Sequence, residues 1–158
     1  MRKLKVFRTE GKNSLCYWAS FKNPVVVSIN FLLITLAKYV PSLSLRRSLL
    51  RLTGMKVGEE ASVGLGAMFD IFYPELIELG DNCIIGYNAT ILAHEFLRNE
   101  LRVGKTVIGK DALIGANATV LAGVIVGEGA SVSAATFVDK DVPDCSFAKG
   151  NPMKVGRK

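Results

Sequence analysis

The chain has 158 residues, 49% of them hydrophobic and 22% charged, a size that fits one domain with an appendage. Its three cysteines, Cys16, Cys83 and Cys145, are odd in number and lack CxxC spacing, which fits a reducing cytoplasm better than a secreted setting. The net charge of +6 is uneven: residues 1–56 hold eleven Lys or Arg against Glu10 alone, whereas residues 57–158 hold nine against thirteen Asp or Glu, so a basic arm that seeks anions sits on a mildly acidic body.

Residues 1–22 are basic, with scattered aromatics (Phe7, Tyr17, Trp18, Phe21) and no clear period, which leaves partial disorder open. They make a poor signal peptide, because the apolar run starts only after Pro24 and no small-residue cleavage site follows. Val25 to Val40 reads as a helix that is apolar on nearly all faces and stops at Pro41. It falls short of the roughly 17–25 residues of a membrane span, so it belongs either on the rest of the protein or in a membrane surface. Ser44 caps a second expected helix, Leu45 to Leu52, ended by Gly54. Leu45, Leu49 and Leu52 share one of its faces, with Arg46, Arg47 and Arg51 elsewhere, a pattern open to packing or to an interfacial anchor.

From Val57 the period changes to six. Val57-Gly-Glu-Glu-Ala-Ser and Val63-Gly-Leu-Gly-Ala-Met begin it, Phe69 opens a degenerate block, and Asp70 to Ile77 breaks it. Blocks resume at Leu79, Ile85 and Ile91, and a loop of about residues 95–105 interrupts them. Six unbroken blocks then open at Ile108, Ile114, Val120, Val126, Val132 and Val138, before Gly150-Asn151-Pro152 turns the chain away. A six-residue period fits neither a helix nor a plain strand and marks a repeat architecture. Short strands separated by turns of about a third of a circle make a triangular prism, one coil per about 18 residues, with coils stacked at roughly 4.8 Å. The opening Ile or Val stacks inward, the small fifth residue fills a corner, and the glycine at the second place is expected to supply turn dihedrals.

These blocks resemble the hexapeptide-repeat acyltransferases, among them the galactoside and maltose acetyltransferases. The resemblance implies an all-β repeat fold, a left-handed parallel β-helix, carrying an N-terminal helical appendage. The expected division is residues 1–54 as basic arm with two short helices, 55–146 as β-helix with the loop at about 95–105, and 147–158 as tail. A homotrimer with active sites between prisms is a further implication.

His94, the single histidine, holds the fourth place of the last block before the loop. An imidazole there suits general-base work at neutral pH. The resemblance implies that it deprotonates an acceptor hydroxyl, which attacks the thioester of acetyl-CoA directly and forms an oxyanion that needs a hydrogen-bond donor. One histidine cannot supply the three-histidine zinc set of the γ-class carbonic anhydrases, so no metal is expected. For the CoA site the resemblance points to Ala116, to Ala134 within Ser133-Ala134-Ala135-Thr136, and to Lys140 and Lys154, which would meet phosphates or serve as plain surface lysines. Asp139 stands where relatives have threonine and weakens that corner. On the acceptor side Asp70 and Tyr73 lie in the right region, with Asp70 able to bind a hydroxyl or to cap a turn. Glu95 could orient the His94 ring or remain a solvated charge.

The expectation is an acetyl-CoA-dependent O-acetyltransferase acting on a sugar or glycan hydroxyl, cytoplasmic, with peripheral membrane contact through the basic helices held open and no nucleic-acid partner. The alternatives are another acyl donor, an amine acceptor, or a trimeric β-helix scaffold without catalysis.

Overall fold

The computed structural model describes residues 2–157; Met1 and Lys158, the ends of the two expected terminal segments, lie outside the described residues. The hexapeptide blocks form a triangular prism with three parallel sheets. On the first side Val57 pairs with Leu79, Leu79 with Ile108 and Ile108 with Val126. On the second, Val63, Ile85, Ile114, Val132 and Ala148 stack in register. On the third, Phe69, Ile91, Val120 and Val138 do the same. All of these inward residues are buried, as are the fifth-place Ala112, Ala118, Val124 and Ala130, and together they make one continuous core. This is the left-handed parallel β-helix that the resemblance implies. Each coil satisfies its backbone groups on its neighbour, so stability accumulates coil by coil.

The turns work differently from the expectation. The second-place glycines do not carry the left-handed backbone; the fourth-place residues do, at Glu60, Asn82, Asn88, Asp111, Asn117 and Ala135, and at Gly66, Gly123 and Gly129. Asn and Asp tolerate that conformation better than other side chains. Two turns are also tied between coils, by Asn82 Nδ2 to Asp111 Oδ1 at 2.7 Å and Asn88 Nδ2 to Asn117 Oδ1 at 2.8 Å. The second-place glycines are needed for close approach instead: a Cβ on Gly115 would lie 2.4 Å from Ala134 N, and one on Gly86 2.6 Å from Ala116 N.

The two helices run Pro24–Tyr39 and Leu43–Leu52. Asn23 caps the first, accepting from Val25 N at 2.9 Å, and Ser42, not Ser44, caps the second. Val27, Asn30, Ile34 and Ala37 of the first helix are buried. In the second, the leucine face packs only through the half-buried Leu49. Arg46 and Leu50 are buried while Leu45 and Leu52 are exposed. Arg46 donates to the carbonyls of Val63 and Val40, so a guanidinium joins the second helix to the first coil and to the end of the first helix.

Both interruptions leave the prism at one edge, between its third and first sides. Residues 70–76 follow Phe69, with a 3₁₀ turn at Pro74–Leu76. The loop expected at about 95–105 is a β-hairpin, His94–Phe96 paired with Glu100–Val103. Residues 1–22, for which the sequence left partial disorder open, contribute the third strand of that sheet: Lys5–Arg8 pairs antiparallel with Glu100–Val103. The basic arm is therefore built into the hairpin. At the far end, residues 154–157 return antiparallel along Ser146–Lys149.

Candidate active site

Because Phe69 and Ile91 stack in register, the chain leaves the prism in two successive coils at one place, and Asp70 comes against His94. His94 Nδ1 lies 2.5 Å from Asp70 Oδ2. The same oxygen accepts from Ala93 N and His94 N, both at 2.8 Å, and Oδ1 accepts from Phe72 N at 2.9 Å and Tyr73 N at 3.0 Å. Burial pushes the Asp70 carboxyl up, but the hydrogen bond and charge of His94, with the N–H groups of Tyr73 and Ala93, outweigh it and hold the carboxyl below its ordinary value. An ionised Asp70 fixes the proton of the neutral imidazole on Nδ1 and leaves Nε2 as the basic nitrogen. The Asp70 side chain is fully enclosed, and its Oδ1 caps the turn at Phe72 and Tyr73.

Aromatic rings enclose the imidazole. Phe72 and Phe96 each stand 4.9 Å from it, edge to face, and Tyr73 stands 5.9 Å away. Trp18 meets Phe72 at 5.8 Å. Lys22 Nζ sits 4.6 Å over the Tyr73 ring. The Tyr73 hydroxyl is pushed up from its ordinary value, by burial first and then by the charges of Glu75 and Asp70. Glu95 does not orient the ring; it pairs with Arg2, which also donates to Ala122 O at 3.2 Å. Leu4 packs where a Cβ on Gly104 or Gly123 would stand.

The residues expected at a donor site divide between two edges. Ala116 and Ala134 stack at the edge between the second and third sides, with Ala135 N donating to Ala116 O at 2.8 Å. Lys154 opens the return strand beside the second side. Asp139 and Lys140 follow Val138 and lie, exposed, on the edge that carries His94 two coils away. One chain thus brings Asp70, Tyr73 and His94 together and keeps Ala116, Ala134 and Lys154 apart from them. Sequence reasoning missed Phe96, Trp18 and Arg2 as neighbours of the site, and it left open whether Glu95 orients the imidazole, a contact that Asp70 makes instead. Aligning Phe69 with Ile91 as equivalent openings would have placed Asp70 within two residues of His94.

Residues 54–93 and 105–140 match the family model described as the hexapeptide repeat of succinyl-transferase, and the gap between the two matches is the hairpin. A Bacillus subtilis (strain 168) protein named "Putative acetyltransferase YvoF" is 47% identical over 158 residues, covering 98% of this chain and 91% of that one. The Staphylococcus aureus (strain MSSA476) relative "Putative acetyltransferase SAS0727" is 47% identical over 127 residues, 80% of this chain and 79% of its own. The chain belongs to the hexapeptide-repeat acetyltransferases. Among solved structures, galactoside acetyltransferase in complex with coenzyme A shares the fold at a TM-score of 0.70 and 22% identity, over 98% of this chain and 86% of that one. The Vibrio cholerae acetyltransferase VCA0836 complexed with acetyl-coenzyme A does so at 0.66 and 20%, over 85% and 87%.

Proposed function

We propose that the protein transfers an acetyl group from acetyl-CoA to a hydroxyl of a sugar or glycan, with His94 as general base. The observation that carries this is the Asp70–His94 pair at the mouth of the hairpin. Nε2 takes the acceptor proton as the oxygen attacks the thioester carbonyl. The tetrahedral intermediate then collapses, and the CoA sulfur leaves with the proton carried by His94. Asp70 is a positioning residue that stabilises the imidazolium formed between the two steps. The ring wall of Phe72, Tyr73 and Phe96 supports an acceptor with an apolar face, as a pyranose has.

The division of Ala116, Ala134 and Lys154 from His94 supports a trimer in which the donor corner of one copy meets the histidine of the next. The decisive variant is His94→Ala. It should lower turnover by about 10²–10⁴-fold while acetyl-CoA still binds, and turnover at the wild-type rate would defeat the assignment. A scaffold without catalysis would show no acetyl transfer in either protein.

A second reading concerns location. No single helix among the described residues is long and apolar enough to cross a membrane. Val25, Ile29, Leu32, Leu36 and Tyr39 nevertheless line one outer face of the first helix, at 65, 50, 59, 56 and 68% exposure. That stripe on a basic segment supports peripheral contact with an anionic membrane surface.

A further inference from the structure

In the three-stranded sheet Lys5 pairs with Val103, and Val103 with His94; Phe7 pairs with Leu101, and Leu101 with Phe96. Residues directly opposite in antiparallel strands point to one face, so Lys5 and Phe7 share a face with His94 and Phe96. A groove of about 580 Å³ opens on that face. Phe7, Phe21, Tyr73 and Val103 supply its apolar lining, and Lys3, Lys5 and Lys105 stand along it. Tyr73 belongs to both places: it lines the groove, and its ring lies 5.9 Å from the imidazole. The groove thus adjoins the site across the Tyr73 ring.

Its charges do not cancel. The two carboxylates beside it are already engaged, Glu75 by Lys22 and Glu78 by Lys105, the latter at 2.7 Å. Lys3 and Lys5 are exposed and have no carboxylate partner among the described residues. Cross-strand neighbours stand about 4.5–5.5 Å apart, so two steps put the base of Lys5 about 10 Å from that of His94, and its four-carbon stem can shorten that gap.

Resting on the acetyltransferase reading, we propose that this groove binds the acceptor, and that the acceptor is an anion whose phosphate or carboxylate is held by Lys3 and Lys5 while its hydroxyl lies at His94. The apolar middle of the groove receives the body of the molecule between the two ends. A neutral sugar would fill the groove and leave both lysines without a counterpart.

The test is calorimetric titration of the full-length chain in excess CoA, so that the donor site is occupied and cannot supply the anion-binding signal. The probes are p-nitrophenyl phosphate, p-nitrobenzoate and the neutral p-nitrophenyl β-glucoside. At least one anionic probe should bind roughly tenfold or more tighter than the glucoside. The Lys3→Met/Lys5→Met double variant, changed only at exposed positions, should lose that difference and keep its CoA affinity. Phosphate alone, or both anions, identifies which group the lysines hold. Equal binding of all three probes, binding of none, or a double variant that weakens CoA instead would overturn the proposal. Full turnover in His94→Ala would remove the base mechanism and leave this titration readable on its own.

Discussion

At the scale of single residues, the imidazole depends on a carboxylate that the fold holds ionised. Asp70→Asn keeps the shape but removes the negative charge and turns one of the two accepting oxygens into an NH2 donor, so turnover should fall by roughly two orders of magnitude or more, with little change in acetyl-CoA affinity. The same variant has a signature in stability. The folded Asp70 carboxyl lies below its unfolded value, so its stabilisation is complete above about pH 4 and is lost as pH falls through the folded value. Thermal melts between neutral and acid pH should show a flatter acid limb for Asp70→Asn than for the wild type; identical limbs would mean that Asp70 contributes nothing to acid stability. The cysteines separate in the same way. Burial pushes the Cys83 thiol up to about 11, whereas Cys16 and Cys145 are exposed. A thiol reagent at neutral pH should modify two sites in the folded protein and reach Cys83 only on unfolding.

At the scale of the elements, the turns give a paired prediction. Gly115→Ala puts a Cβ 2.4 Å from Ala134 N and should cost about 1–3 kcal/mol in chemical denaturation. Glu60→Gly relieves a non-glycine residue at φ 56° and should gain about 0.5–1 kcal/mol. Gly115 is not among the positive-φ glycines, so if close approach to the next coil did not matter, Gly115→Ala would be mild. The prism itself was legible in the sequence, because an inward aliphatic residue every sixth position can stack in few other ways. The packed face of the second helix was not legible. Leu45 and Leu52 advertise a hydrophobic face, and only the positions of the Val63 and Val40 carbonyls make Arg46 the residue that turns inward. Nor was the strand Lys5–Arg8: four residues whose partners lie more than ninety positions away leave no local period to read. His94 stood out as a lone imidazole beside a loop, yet its orienting group depended on inter-coil register. Glu95 looked nearer in sequence, but its side chain is taken by Arg2.

At the scale of the molecule, the proposed membrane contact rests on apolar side chains that the chain leaves uncovered. Deleting the arm is a poor test of it, because Lys5–Arg8 is part of the sheet that carries His94. Leu32→Glu with Leu36→Glu leaves that sheet alone. This variant should lose binding to phosphatidylserine vesicles, which the wild type should bind more strongly at low salt than at high salt. Equal sedimentation of both proteins with vesicles would rule the helix out as the contact. The three-stranded sheet also sets a timetable for synthesis. Each prism coil finds its neighbour soon after both have left the ribosome, but residue 5 must wait for residue 103. At about 5–20 residues per second, that is a wait of roughly 5–20 s. The basic segment is therefore made first and seated late, and its place is beside the outer strand of the hairpin that carries His94.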